Sequence, residues 1–296
     1  MRADGSKQLT VLSEAERLAL YGLPDFDDFQ RAEFFALSAA ERALVDQRKG
    51  LAEQVWCLLQ IGYFKAKQAF FGFSWPDVPS SDIAFLMERY FPGSALTPQP
   101  IRANEHYAQR REIAGLFGYR LWADTDRAAV VGRAGLLAKR DVAATFILTE
   151  LLAFLATRRI VRPGYTTLQG IISEVLTAER RRLEHLVEDG LDEEARAALQ
   201  GLLVREDTLS ELAALKQDAK HFGYRMMAME RQKRTTLAPL HRVAKTLLPK
   251  LDISQQNVAY YASLAHYYTV YDLRRLKPGQ THLYLLCYAW QRFRQL

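Results

Sequence analysis

Cysteine is scarce: Cys57 and Cys287 are the only two among 296 residues. A disulfide framework is excluded, and with no C-x-x-C and no Cys/His cluster a structural zinc site has no ligand set. Long apolar runs are missing too. Charges interrupt each one before the roughly 18 residues that a membrane span needs, so no membrane partner is expected. Met1–Thr10 is polar and has no apolar stretch of the kind a secretory signal carries. These absences lead to the expectation of a reducing, cytoplasmic compartment. Period-two alternation of Val, Ile and Thr is also lacking, which argues against sheet.

Helix signals fill the chain instead, and the fold class read from them is all-α. Ser13 with Glu16, and Ser38 with Glu41, each fit a capping box, a Ser N-cap answered three residues on by Glu. Leu51–Phe71 carries Val55, Leu58, Leu59, Gly62, Tyr63 and Ala66 at helical spacing. Ser81 or Asp82 is expected to cap a short helix ending near Pro92. Further helices are expected at about 101–117, 125–138, 141–159, 167–189, 192–203, 223–248, 254–276 and 280–295. In the 254–276 segment, Tyr261, Leu264, Ala265, Tyr268 and Tyr271 fall on one core-facing stripe. Breaks at 120–140 and 186–210 suggest three segments: a helical domain over 1–130, a second over 131–205, and an aromatic, basic segment over 206–296.

Catalytic signatures are absent. There is no phosphate loop, no G-x-G-x-x-G, no H-E-x-x-H and no nucleophile elbow. The six histidines, at 106, 185, 221, 241, 266 and 282, are scattered along helices, none three or four from another. The acidic run Glu188, Asp189, Asp192, Glu193 and Glu194 reads as a helix break followed by a charged helix start. No catalytic or metal-ligating residue is assigned.

Charge is segregated. The net +6 conceals 14 basic and 8 acidic side chains over 101–182, 2 and 9 over 183–215, and 14 and 4 over 216–296. Arginine outnumbers lysine 29 to 11, and its planar fork suits phosphate and guanine edges. The densest motif is the corner from Arg158 to Gln169. Pro163 stops one helix, Gly164 is expected to supply the turn through a positive φ, and Thr166 with Gln169 fits a capping box for the next. A helix-turn-helix-like end results, with Tyr165 before the capping Thr166, Thr167 and Gln169 in the first turn, and Arg158, Arg159 and Arg162 at the rim. In that reading Gln169 meets a base edge while the arginines hold phosphates. A solvated helical corner is the equal alternative. Arg110, Arg111 and Arg120 flank a helix end at Gly118, and Lys139 and Arg140 precede the next helix. Lys233, Arg234, Arg242 and Lys245 lie along the 223–248 helix, where a basic face would hold phosphate without reading sequence.

Five stretches, spread in order along the chain, carry a resemblance. They are GYFKAKQAFF (Gly62–Phe71), RREIAGLFGYR (Arg110–Arg120), RIVRPGYTTLQ (Arg159–Gln169), YYASLAHYYTVYDLRRL (Tyr260–Leu276) and LYLLCYAWQRFRQ (Leu283–Gln295). Together they resemble the N-terminal region of transposases of the replicative, Tn-three-type transposon family. The resemblance implies helical domains that bind double-stranded DNA at transposon terminal inverted repeats, a second transposase subunit as a further partner, and bacterial nucleoid association when DNA is bound. Members of that family are much longer and carry a DDE-type, metal-dependent nuclease in their C-terminal half. The chain is therefore expected to be an N-terminal part with no cofactor of its own, the divalent metal belonging to the other half. A scaffold role in transposase assembly is the alternative function.

Overall fold

A computed structural model describes residues 9–206, 209–218 and 223–296. These residues form an all-α fold. Helices α1 (Glu14–Tyr21), α2 (Asp28–Phe34), α3 (Ala39–Asp46), α4 (Leu51–Lys67), α5 (Ser80–Tyr90) and α6 (Ala103–Leu116) come first. Next are α7 (Asp126–Arg140), α8 (Ala144–Thr157), α9 (Tyr165–Gly190), α10 (Glu193–Gly201) and α11 (Glu211–Lys216). Then follow α12 (Tyr224–Leu247), α13 (Gln255–Tyr267), α14 (Val270–Arg275) and α15 (Pro278–Gln295). Extended pairing among the described residues is limited to a short hairpin, Arg205–Glu206 with Leu209–Ser210, and one parallel bridge between Arg120 and Ile160.

Two compact units emerge, neither of them continuous in sequence. The first is the chain up to Val130 with Leu148–Ile171; the second is Val131–Ile147 with Ile172–Leu296. Residues 131–205, read from the sequence as one segment, thus contribute to both, and the described residues beyond 209 pack with 172–205 around a common core.

In the first unit the capping boxes at Ser13 and Ser38 form as expected, and a third, Asp27 with Gln30, opens α2. Helix α4 is buried on every side from Val55 to Phe64, packed by α2, α3, α5 and α6. It ends at Lys67 rather than Phe71, because Gln68 turns left-handed at φ 49°. At Gly62 a side chain has no room: a Cβ there would lie 2.3 Å from the buried Phe35 ring. Asp82 is not a cap. Pro79 occupies that position, and the fully buried Asp82 carboxylate accepts from Arg31 Nε and Tyr63 Oη, both at 2.8 Å. Removing a carboxylate from water is costly unless it is paired and hydrogen-bonded, and here both conditions are met.

In the second unit α12 and α13 pack on α15, which is buried continuously from Leu283 to Ala289. Asn257, fully buried, donates to the carbonyls of Ala138 (2.7 Å) and Lys139 (3.0 Å) and accepts from the Val142 amide at 2.9 Å. It satisfies helix-end groups that would otherwise be stranded. The expected single helix over 254–276 is two. Tyr268 leaves helical geometry, and Thr269 with Asp272 forms a new capping box. Tyr261 and Ala265 are buried as expected, but past the break Tyr271 is exposed.

Candidate nucleic-acid interface

The corner after α8 turns earlier than its sequence suggests. Arg159 carries the left-handed conformation, φ 54°, while Gly164 has an ordinary φ. The amides of Arg159 and Ile160 donate back to the carbonyls of Ala156 and Leu155, both at 3.0 Å, closing α8. Beyond the turn the chain runs beside the segment after α6, which itself turns at Gly118 with φ 72°. Arg120 N donates to Arg159 O and Val161 N to Arg120 O, both at 2.9 Å. Two basic clusters some 40 positions apart in sequence are thereby joined on one edge.

Three cations face solvent there. Arg120 grips Asp126 through two hydrogen bonds, 2.6 and 2.7 Å. That grip, helped by the Ala123 amide and by nearby Arg158, holds the Asp126 carboxyl down at about 2, against the opposing effect of its burial. Arg158 lies 4.4 Å over the Phe154 ring and Arg159 lies 5.3 Å over Tyr119. The ring contacts place each guanidinium against the protein while no side-chain hydrogen bond occupies its donors among the described residues.

Arg162, Tyr165 and Gln169, also proposed for this corner, turn inward, which corrects the expectation for them. Arg162 donates to the Leu20 carbonyl at 2.6 Å and lies over Tyr21 at 5.1 Å. The Tyr165 hydroxyl accepts from the amides of Val11 and Leu12, both at 3.3 Å. Gln169 is buried, its amide donating to the Leu9 carbonyl at 2.6 Å. Helix α9 already begins at Tyr165, so Thr166 lies within its first turn and the proposed Thr166–Gln169 box does not form. Thr166 is exposed and Thr167 half-buried, its amide donating to Gly164 O at 3.1 Å. No local pattern could reveal these partners, because they sit 142 to 160 positions away.

Elsewhere in this unit Arg111 is exposed, whereas Arg110 is half-buried, donating to the Phe71 carbonyl and lying over Phe70. In the second unit Lys139 pairs with Asp252 at 2.5 Å, and the exposed Arg140 lies over Phe146. On α12, Arg234, Arg242 and Lys245 are exposed. Lys233 is not: it is buried, held by Glu230 Oε1 at 2.6 Å and by the Gln217 carbonyl. Among the described residues no three His, Cys, Asp or Glu side chains are grouped to hold a metal ion; His221 lies outside those residues. No described helix is long and apolar enough to cross a membrane.

Residues 11–175 match the family model described as Domain of unknown function (DUF4158). The chain belongs to that family. The DUF4158 region holds the whole edge from Arg110 to Gln169, while Lys233, Arg234, Arg242 and Lys245 lie beyond it. Over 206 residues, 67% of this chain, the sequence is 23% identical to "Transposase for transposon Tn3926" of Escherichia coli. The matched part is 20% of that protein, so the chain spans only a fraction of the curated relative's length.

Proposed function

We propose that the chain binds double-stranded DNA through the edge of Arg120, Arg158 and Arg159, as part of a protein acting in DNA transposition, with transposon terminal inverted repeats as its target. The observation that carries this reading is the conformation of Arg159. A left-handed, non-glycine residue costs about 1 kcal/mol, which glycine would avoid, yet an exposed arginine at φ 54° stands here between two others. Strain retained at a cationic surface residue points to what the side chain does outside the protein. Similarity to a transposase supports the same direction. Arg158 and Arg159 are preoriented for phosphate, and Arg120 completes the edge; base reading by Gln169 is not part of this proposal.

A mobility shift of the whole chain with a transposon-end duplex and a random duplex, at about 50 and 200 mM salt, tests the reading. The expected result is tighter binding to the transposon end and a log K against log salt slope at least as steep as about −3, of which this edge supplies one unit per phosphate contact. Equal, salt-independent binding to both duplexes would refute it.

A second reading, a scaffold for transposase assembly, is favoured by one observation. Tyr260, Tyr267 and Tyr271 are exposed on α13 and α14. Under that reading, alanine at all three weakens self-association in sedimentation and leaves duplex binding unchanged.

A further inference from the structure

The second unit carries a run of five flat groups where α12 meets α15. His241 lies almost parallel to the Trp290 ring, at 5° and 4.8 Å between centroids, and to the Phe293 ring, at 25° and 4.1 Å. The Arg234 guanidinium lies 4.8 Å over Phe293, and that of Arg294 lies 5.3 Å over Trp290. In contact order the run is Arg234, Phe293, His241, Trp290, Arg294. Both terminal arginines are exposed, as is Lys245 one helical turn from His241.

Charge on this face is uncompensated. Two neighbouring cations find acids: Lys233 pairs with Glu230, and Arg292 with Asp218. Among the described residues Arg234, Lys245 and Arg294 form no ion pair. The charged groups that act on His241 are Lys245 and Arg234 from α12 and Arg294 from α15, with no acid among them. Their repulsion adds to partial burial, the larger cause, and the imidazole sits below its ordinary range. A surface that gathers three cations and a suppressed fourth around rigid rings is built to meet an external anion. Each stacked guanidinium keeps its in-plane donors free for a bidentate contact, and the rings hold it in place beforehand.

We infer that this stack is a second phosphate-binding face, taking a phosphodiester backbone on Arg234 and Arg294, and that protonation of His241 strengthens its hold. The inference goes beyond the function proposed above: its residues lie outside 11–175, and it stands or falls by different substitutions. An anion on the face offsets the repulsion that helps to lower the proton affinity of His241, so binding draws a proton onto the ring. By linkage, affinity must then rise as pH falls.

The test uses the whole chain and a random-sequence duplex of about 30 base pairs, by fluorescence anisotropy over a salt series at pH 8.0 and 5.5. Arg234→Gln with Arg294→Gln is expected to lower the steepness of log K against log salt by about 2 units and to weaken binding about 10-fold or more at low salt. Arg→Lys at both positions retains the slope but not the full affinity. His241→Phe preserves a flat ring between Trp290 and Phe293; it is expected to remove a 3- to 10-fold gain in affinity between pH 8.0 and 5.5. Unaltered thermal midpoints show that each variant folds. An unchanged salt slope in the double Gln variant overturns the face, and a pH gain that survives His241→Phe overturns the coupling. Substitutions at Arg158 and Arg159 report on the first-unit edge alone, so failure of either reading is seen separately.

Discussion

Arg120 and Asp126 face each other across six residues in a two-bond pair, Nη1 to Oδ2 at 2.7 Å and Nη2 to Oδ1 at 2.6 Å. The pair fixes the segment that carries the basic edge and takes up part of its charge. Since the Asp126 carboxyl is held at about 2 instead of its ordinary 3.8, its contribution to stability is fully present above pH 4. It is lost as pH falls toward 2. Arg120 is half exposed, so solvent screens the pair. Asp126→Asn should cost about 1 kcal/mol at pH 7, with the difference from wild type vanishing near pH 2 in urea titrations. The same change frees Arg120 and is expected to tighten duplex binding. Weaker binding would mean that Arg120 serves only Asp126.

A different balance holds at Asp82. Its carboxylate is fully buried and compensated from two sides, by Arg31 and by the Tyr63 hydroxyl. Burial and the neighbouring Asp82 charge both push the Tyr63 hydroxyl up, so the phenol remains the donor across the accessible pH range. Removing the charge takes the buried carboxylate from Arg31 Nε, while Nη1 keeps Asp28 and Nη2 keeps Ser81; Asp82→Asn is expected to cost about 3 kcal/mol, and Tyr63→Phe, which removes one neutral donor, about 1–2 kcal/mol. Midpoints of urea unfolding at constant m-value give the ranking. Equal losses would show that the hydroxyl, and not the ion pair, holds the site.

What could be read from the sequence follows the range of the interactions. The boxes at Ser13 and Ser38 close within three residues, so composition alone reveals them. Helix α4 is legible in its apolar spacing, but its burial on every side from Val55 to Phe64 is not, because that spacing describes a half-buried helix. Asp82 was misread as a cap because its partners, Arg31 and Tyr63, are 51 and 19 positions away. The break at Tyr268 was hidden because Thr269–Asp272 sits in a row of tyrosines whose helical spacing continues across it. At the candidate edge the sequence offers the arginines but not the backbone pairing between Arg120 and Arg159, nor the inward turn of Arg162 and Gln169. Those features depend on segments meeting in space.

Gln169 and Tyr165 hold one element, the chain from Leu9 to Leu12, in which Val11 and Leu12 are buried. Gln169→Ala strands the Leu9 carbonyl and Tyr165→Phe strands two amides, each costing about 1–2 kcal/mol. Because either change releases the same segment, the double variant should lose less than the sum, by roughly 0.5–1 kcal/mol in a double-mutant cycle. Discrimination between transposon end and random duplex is expected to survive Gln169→Ala, since its amide is turned to Leu9. A loss of discrimination with stability intact would return Gln169 to the reading surface.

Arg159 separates what the fold needs from what the proposed function needs. At φ 54° the backbone favours glycine. Arg159→Gly therefore relieves strain while adding freedom to the unfolded chain and losing the contact with Tyr119, and the three terms offset, leaving stability within about 0.5 kcal/mol of wild type. Arg159→Ala retains the strain, loses the stacking on Tyr119, and is expected to cost about 1 kcal/mol. Both lose the cation, so both should weaken duplex binding alike and reduce the steepness of the salt dependence by about one unit. Arg159→Lys should keep the slope. Stability and binding are thus predicted to part company at one residue: the glycine variant folds as well as wild type and binds worse. If it binds as tightly as wild type, the left-handed arginine is an accident of the turn, and this edge is not the DNA interface.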